Sequence, residues 1–167
     1  MLRDGVGLHL CATLALLLVS GCVVTDYATS KTPAAVSEQF IRQGPTTWGG
    51  PKIYRIGNSE MNNGSPGGTS YKVDPGPTVI KVWYYGNRDG LKGIFTQTDM
   101  VEIPVTLEAN AHYEIRASAE EKTVAFTLCD LGSGQEVARV ADVPIVRGPS
   151  RLVRGSVQAI PIFIPAH

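Results

Sequence analysis

The sequence predicts an all-β domain, an antiparallel β-sandwich or open barrel of about seven to eight short strands, placed after a signal peptide and a short tether. Three observations predict it. Gly (18) and Pro (11) together make 29 of 167 residues, a density of turn formers that suits short strands better than a helical bundle. Charged residues are only 18% of the chain, below the roughly 25% usual for soluble domains. Apolar residues then alternate with polar ones in several short runs after residue 51, the period of a half-buried strand. The 15 Lys+Arg balance the 15 Asp+Glu, which argues against a nucleic-acid or anionic-membrane partner held mainly by charge.

The chain opens with one basic residue, Arg3, followed by a largely apolar run from Leu10 to Val19 and then Ser20, Gly21 and Cys22. At about 1.5 Å per residue such a run cannot cross a hydrocarbon core of about 30 Å, so it reads as the apolar region of a secretory signal peptide. Val19-Ser20-Gly21-Cys22 resembles the lipobox of bacterial lipoproteins. The resemblance implies diacylglycerol transfer to the Cys22 thiol, cleavage between Gly21 and Cys22, and acylation of the new amino group. Asp4 in the normally basic region and His9 beside the apolar run depart from the pattern. Val23 rather than Asp follows the cysteine, which by the same resemblance implies the outer membrane, with the domain facing the periplasm.

Cleavage there would define three segments: residues 1–21 as signal peptide, 22–50 as a lipidated tether, and 51–167 as the β-domain. It removes Arg3 and Asp4, so the mature chain keeps 14 basic against 14 acidic residues. Cys11 leaves with the signal, Cys22 is acylated, and Cys129 alone remains. No intramolecular disulfide then forms, and Cys129 reads as a buried small hydrophobe.

Residues 34–43 place Val36, Phe40 and Ile41 at helical spacing between Pro33 and Gly44-Pro45; a helix of two or three turns and plain tether are the two readings. Lys52–Ile56 is a first strand. Residues 58–70, rich in Gly and Asn, form a mobile loop or long hairpin connection. Tyr71–Val73 leads through Asp74-Pro75-Gly76-Pro77 into Thr78–Tyr85, the clearest strand. Met100–Leu107 alternates, and Pro104 in it indicates an edge or a bulge. Ala109-Asn110-Ala111 turns the chain, since Asn tolerates left-handed backbone. Tyr113, Ile115 and Ala117 then point inward, followed by Val124, Phe126 and Leu128. A turn at 130–134 precedes the returning strand Glu136–Val140, and Ser156–Ile164 is a final strand interrupted by Pro161.

Little in the chain resembles a catalytic constellation. After cleavage only His112 and His167 remain to act as bases, one beside a turn and the other terminal. No nucleophile elbow occurs, and His112 with Cys129 makes a poor metal set. The Gly-rich stretch 64–68 lacks the following Lys-Ser/Thr of a phosphate cradle. Glu120-Glu121 reads as a solvated hairpin tip. The expectation is therefore no enzyme, no cofactor and no metal.

The strand Thr78–Tyr85 carries the one candidate ligand face. Ile80, Val82 and Tyr84 share one side; Lys81, Trp83 and Tyr85 share the other. Since Lys81 reaches for water, Trp83 and Tyr85 either lie on an accessible sheet face suited to a protein, a peptide or sugar rings, or are covered in a sandwich with Lys81 snorkelling at the rim.

Three segments of residues 71–140 resemble small β-rich bacterial envelope lipoproteins: Tyr71-Lys72-Val73-Asp74-Pro75-Gly76 before a strand, Ala109-Asn110-Ala111-His112-Tyr113 before another, and Asp130-Leu131-Gly132-Ser133-Gly134 followed by Glu136-Val137. Gly is usual where Asn110 stands. The resemblance implies an envelope lipoprotein with a β-rich domain and carries no activity. The expected function is a membrane-anchored, non-enzymatic binding or assembly module with an envelope protein or glycan as partner; a glycan-binding module using Trp83 and Tyr85 is the alternative.

Overall fold

The computed structural model describes residues 23–42, 47–61, 69–87 and 95–148. They form strands and no helix: β1 (Val23–Asp26), β2 (Ala34–Glu38), β3 (Ile41–Arg42), β4 (Trp48–Ile56), β5 (Ser59–Glu60), β6 (Thr69–Val73), β7 (Gly76–Asn87), β8 (Phe95–Thr98), β9 (Val101–Leu107), β10 (His112–Ala119), β11 (Thr123–Asp130) and β12 (Glu136–Gly148). One hydrogen-bonded path runs β1-β6-β2-β10-β11-β12-β8-β7-β4-β3, with β5 attached to β4 and β9 to β7. The sheet curls into an open half-barrel around its apolar face.

β12 makes the corner. Its first part pairs with β11 and its last four residues pair with β8, from Ile145 against Thr98 to Gly148 against Phe95. Within the β11 pairing, between Val140 and Val143, the register slips, and Asp142 takes φ 58° there. An inserted residue in left-handed backbone bends a strand and increases its twist, and Asp is among the few side chains that tolerate it. The other closure is covalent: residues 39 and 40 carry the chain from β2, inside the first half of the sheet, to β3 at the far edge of the second.

The core follows the alternation read from the sequence. Ile80, Val82 and Tyr84 of β7, Val101, Ile103 and Leu107 of β9, Tyr113, Ile115 and Ala117 of β10, and Val124, Phe126 and Leu128 of β11 are all buried. Asn110 turns at φ 60° and Gly134 at φ 73°. Pro104 sits in β9, which among the described strands pairs with β7 alone, opposite Val79, whose carbonyl accepts from Gly57 on the other side, so the missing N–H costs no ladder bond to β7.

Several expectations are corrected. Residues 34–38 are a strand, not helix, because Ala34, Val36 and Glu38 all turn inward at period two. The stretch 22–50, read as a tether, supplies β1, β2, β3 and the start of β4. Its small polar residues suit a paired strand as well as a linker, and pairing with β6 and β10 decides between them. The pairing is not wholly antiparallel, since β1 on β6 and β2 on β10 are parallel. Twelve strands stand among the described residues where seven or eight were expected. Two of the additions, β3 and β5, have two residues each, and β8 gave no alternation to read. Ser59–Glu60, expected in a loop, folds back on β4. The strand expected at Ser156–Ile164 lies outside the described residues.

Asp74 joins the connection between β1 and β2 to the β6–β7 turn. Its carboxylate accepts the backbone N–H of Thr29 (2.8 Å) and Ser30 (2.7 Å) and the Thr29 hydroxyl (2.7 Å). The Thr29 hydroxyl first, then the two backbone donors, hold this carboxyl below its ordinary value. Its ionised form is favoured by folding, so the anchor is complete above the pKa of an unfolded aspartate, about 3.9, and is lost as pH falls through the lower folded value. An acid titration followed by amide NMR should show the Thr29 and Ser30 resonances moving together with a midpoint below about 3.9, and Asp74→Asn should abolish that transition.

Candidate functional site

β7 alternates strictly, so the side chains opposite the core lie on one outer face: Lys81, Trp83, Tyr85 and Asn87. The β4 register adds to the same face Trp48 opposite Asn87, Gly50 opposite Tyr85 and Lys52 opposite Trp83. The β8 register adds Phe95 opposite Asn87 and Gln97 opposite Tyr85. Three strands thus bring Trp48, Trp83, Tyr85 and Phe95 together, each half-buried.

Tyr85 is the centre of this cluster. Its ring stacks on Phe95 with centroids 5.4 Å apart and planes 6° from parallel. Trp48 meets it edge-on at 5.5 Å, and Trp83 lies tilted at 5.4 Å. Such pairs add about 0.5–1.5 kcal/mol each beyond area burial, so the rings hold one another in a fixed arrangement. Gly50 makes room beside them: a Cβ there would strike the carbonyl oxygen of Gln39, where the 39–40 crossover passes. The crossover delivers a further aromatic, Phe40, 42% exposed. On the core side, Gly49 and Gly86 pair, and the Tyr84 hydroxyl occupies the space that a Cβ on Gly49 would need.

Two lysines next to the cluster are paired, and the exposed Arg42 of β3 lies opposite Trp48. Lys81 meets Glu102 of β9 at 2.6 Å. Beyond that pair the outer face continues as Pro77, Val79, Pro104 and Thr106, which line a shallow depression with Thr78 and Val105. Lys52 bridges to Glu38 at 2.8 Å.

Among the described residues Glu38 is the most deeply buried charge, its side chain 0% exposed. Besides Lys52, it accepts the backbone N–H of Ile53 at 2.7 Å and the Tyr71 hydroxyl at 3.4 Å. The carboxylate therefore stands where a neighbouring strand would stand, satisfying a β4 backbone donor from the end of β2. Burial first, then the Glu38 charge, push the Tyr71 hydroxyl pKa well above its ordinary value, so Tyr71 stays a donor throughout the physiological range.

Of the residues singled out in the sequence, Lys81, Trp83 and Tyr85 do share an outer face. Gly21 and Cys22, His167 and residues 64–68 lie outside the described residues. His112 is exposed at the start of β10, and Glu120 and Glu121 are exposed at the β10–β11 turn. Cys129 is buried, and burial raises its thiol pKa against the opposing charge of Arg116. Among the described residues no group of three or more His, Cys, Asp or Glu is placed to hold a metal ion, and no helix is long and apolar enough to cross a membrane.

Sequence reasoning missed Trp48, Phe95 and the Glu38–Lys52 pair. For Glu38 a signal exists: period-two reading of Ala34–Glu38 puts the carboxylate inward, where it demands a cation. Trp48 and Phe95 carry no local signal, because only the β4 and β8 registers bring them to Tyr85. Compared with protein-family models, with curated proteins and with solved structures, the chain matches none.

Proposed function

We propose that the chain is a lipid-anchored envelope protein whose β-domain is a non-enzymatic contact module, held to the outer membrane through acylated Cys22 and working through the outer face around Trp83 and Tyr85. The aromatic cluster carries this reading. Rings of Trp48, Trp83, Tyr85 and Phe95 gathered from three strands remain half-exposed, although burying such rings is among the larger gains open to a folding chain. Apolar surface kept in contact with water at this density is characteristic of contact sites.

The alternative, a glycan site, draws less support. Sugar rings dock on open aromatic faces, and the parallel stack commits one face of Tyr85 to Phe95. A photo-crosslinking amino acid at position 83, introduced into the full-length protein in cells, tests the reading. Capture of an envelope component, protein or lipid, supports it. Capture of nothing, in protein shown to be membrane-bound, overturns it.

A further inference from the structure

We infer that the component met by this aromatic face is the lipid–water interface of the very membrane that holds the anchor, so that the domain beds onto the bilayer along Trp48, Trp83, Tyr85 and Phe95. The inference rests on the proposed acylation of Cys22 and names the partner of that same site.

The first observation is the lack of slack. β1 begins at Val23, the residue that follows Cys22, and is paired from that first residue, Val23 against Thr69. At about 3.3 Å per residue a chain acylated at Cys22 has one residue spacing between its anchor and the folded sheet. A tether reaching to residue 50 would let the domain stand off the surface. A strand that starts one residue after the lipid does not.

The second observation is which end of the sheet β1 begins at. Across the ladders Val23 pairs with Thr69, Ser70 with Ser37, and Glu38 with Ile115. The start of β1 is therefore level with the end of β2 and the middle of β10, and β1 runs away from the end toward which β10 runs. The last inward residues of β10, Ala117 and Ala119, meet Ile41, Trp48, Gly49 and Tyr84 around one small cavity. Trp48 and the neighbour of Tyr84, Tyr85, are the heart of the aromatic cluster. Anchor point and cluster thus occupy the same end of the half-barrel, though they come from opposite halves of the sheet.

The third observation is chemical. Trp and Tyr combine an apolar body with a polar tip and are enriched at headgroup depth, where one end is dry and the other wet. The nearest lysines bring no isolated charge to that boundary, because Lys81 is paired with Glu102 and Lys52 with Glu38. Arg42, exposed opposite Trp48, is a further cation at the edge of the face, so the contact rests on the rings far more than on an anionic headgroup, in keeping with a zero net charge.

The test uses the full-length, membrane-extracted protein in vesicles of phosphatidylethanolamine and phosphatidylglycerol, with plain or brominated acyl chains. The chain has two tryptophans, both in this face, so its own fluorescence reads the contact. Intact mass is measured first; an unmodified Cys22 fails the anchoring reading and removes the inference with it. For acylated protein the expected result is strong quenching by brominated lipid, loss of quenching by aqueous iodide, and no change when salt is raised. Acylated protein whose tryptophans are quenched by iodide and untouched by brominated lipid overturns the inference while leaving the anchor intact. Crosslinking of position 83 to a protein, with the tryptophans protected in cells but iodide-accessible in these vesicles, overturns it equally and assigns the face to that protein.

Discussion

Glu38→Ala unfolds at a lower denaturant concentration than the unaltered chain, by the equivalent of about 3–5 kcal/mol. The substitution removes the carboxylate that Lys52, whose side chain is only 10% exposed, meets at 2.8 Å. It also leaves the Ile53 N–H without its acceptor at 2.7 Å and removes the acceptor of Tyr71. Taking the counter-charge from a buried ammonium and an acceptor from a buried N–H both raise the free energy of the folded chain, and here they fall on the same few residues. Glu38→Gln, which keeps an acceptor for Ile53, costs less; the double change Glu38→Leu with Lys52→Met recovers much of the loss, since a buried ion pair exchanged for apolar groups of similar volume is often close to neutral. Equilibrium urea unfolding of the four proteins checks the order. A Glu38→Ala protein as stable as the unaltered chain would mean that the carboxylate does not bridge the two halves.

Cys22→Ala removes the protein from the outer-membrane fraction and leaves it held only by its uncleaved signal peptide. This follows from the proposed anchor: each buried methylene contributes about 0.8 kcal/mol, and two or more acyl chains together hold a domain of this size on a bilayer without measurable exchange. The aromatic face cannot substitute for them, because a few half-buried rings give binding that is reversible on dilution. Fractionation with immunoblotting and intact mass checks it. The substituted protein should lack the mass of the acyl groups and keep its signal peptide, because in lipoproteins cleavage waits for the thioether. Retention of Cys22→Ala in the membrane with a cleaved signal would indicate attachment by another route.

The two predictions address opposite ends of one short stretch. Residues 22–38 run from the proposed lipid to the buried carboxylate that joins β2 to β4, with β1 and β2 paired to β6 and β10 along the way. Pulling on the anchor therefore loads the sheet itself. In the tether reading the same force would have been absorbed by slack chain.

How far the fold could be read differs from element to element. β7, β9, β10 and β11 were legible because each alternates over seven or more residues between recognisable turns, and the parity of a strand decides which side chains are buried. Asn110 was legible as a turn because few residues accept left-handed backbone. Residues 34–38 misled, because Val36, Phe40 and Ile41 match a helical stripe as well as a strand, and five residues are too few to separate the two periods. β3, β5 and β8 have two to four residues each, and nothing local distinguishes such a segment from a loop. Half of the candidate site was visible as well: Trp83, Tyr85 and Lys81 share a face by parity alone. Trp48 and Phe95 were not, since they lie 37 and 10 positions from Tyr85 in sequence.

Taken alone, the amino-acid sequence determined the all-β class, the inward residues of β7, β9, β10 and β11 and several turn positions, because these depend on a period of two and on the backbone freedom of single residues. Only the tertiary structure decided that the segment after Cys22 is sheet rather than linker, that Glu38 meets Lys52 between β2 and β4, and that three aromatic rings converge on Tyr85. Each of those depends on the register between strands distant in the chain, and register is a property of the pair. No single strand contains it.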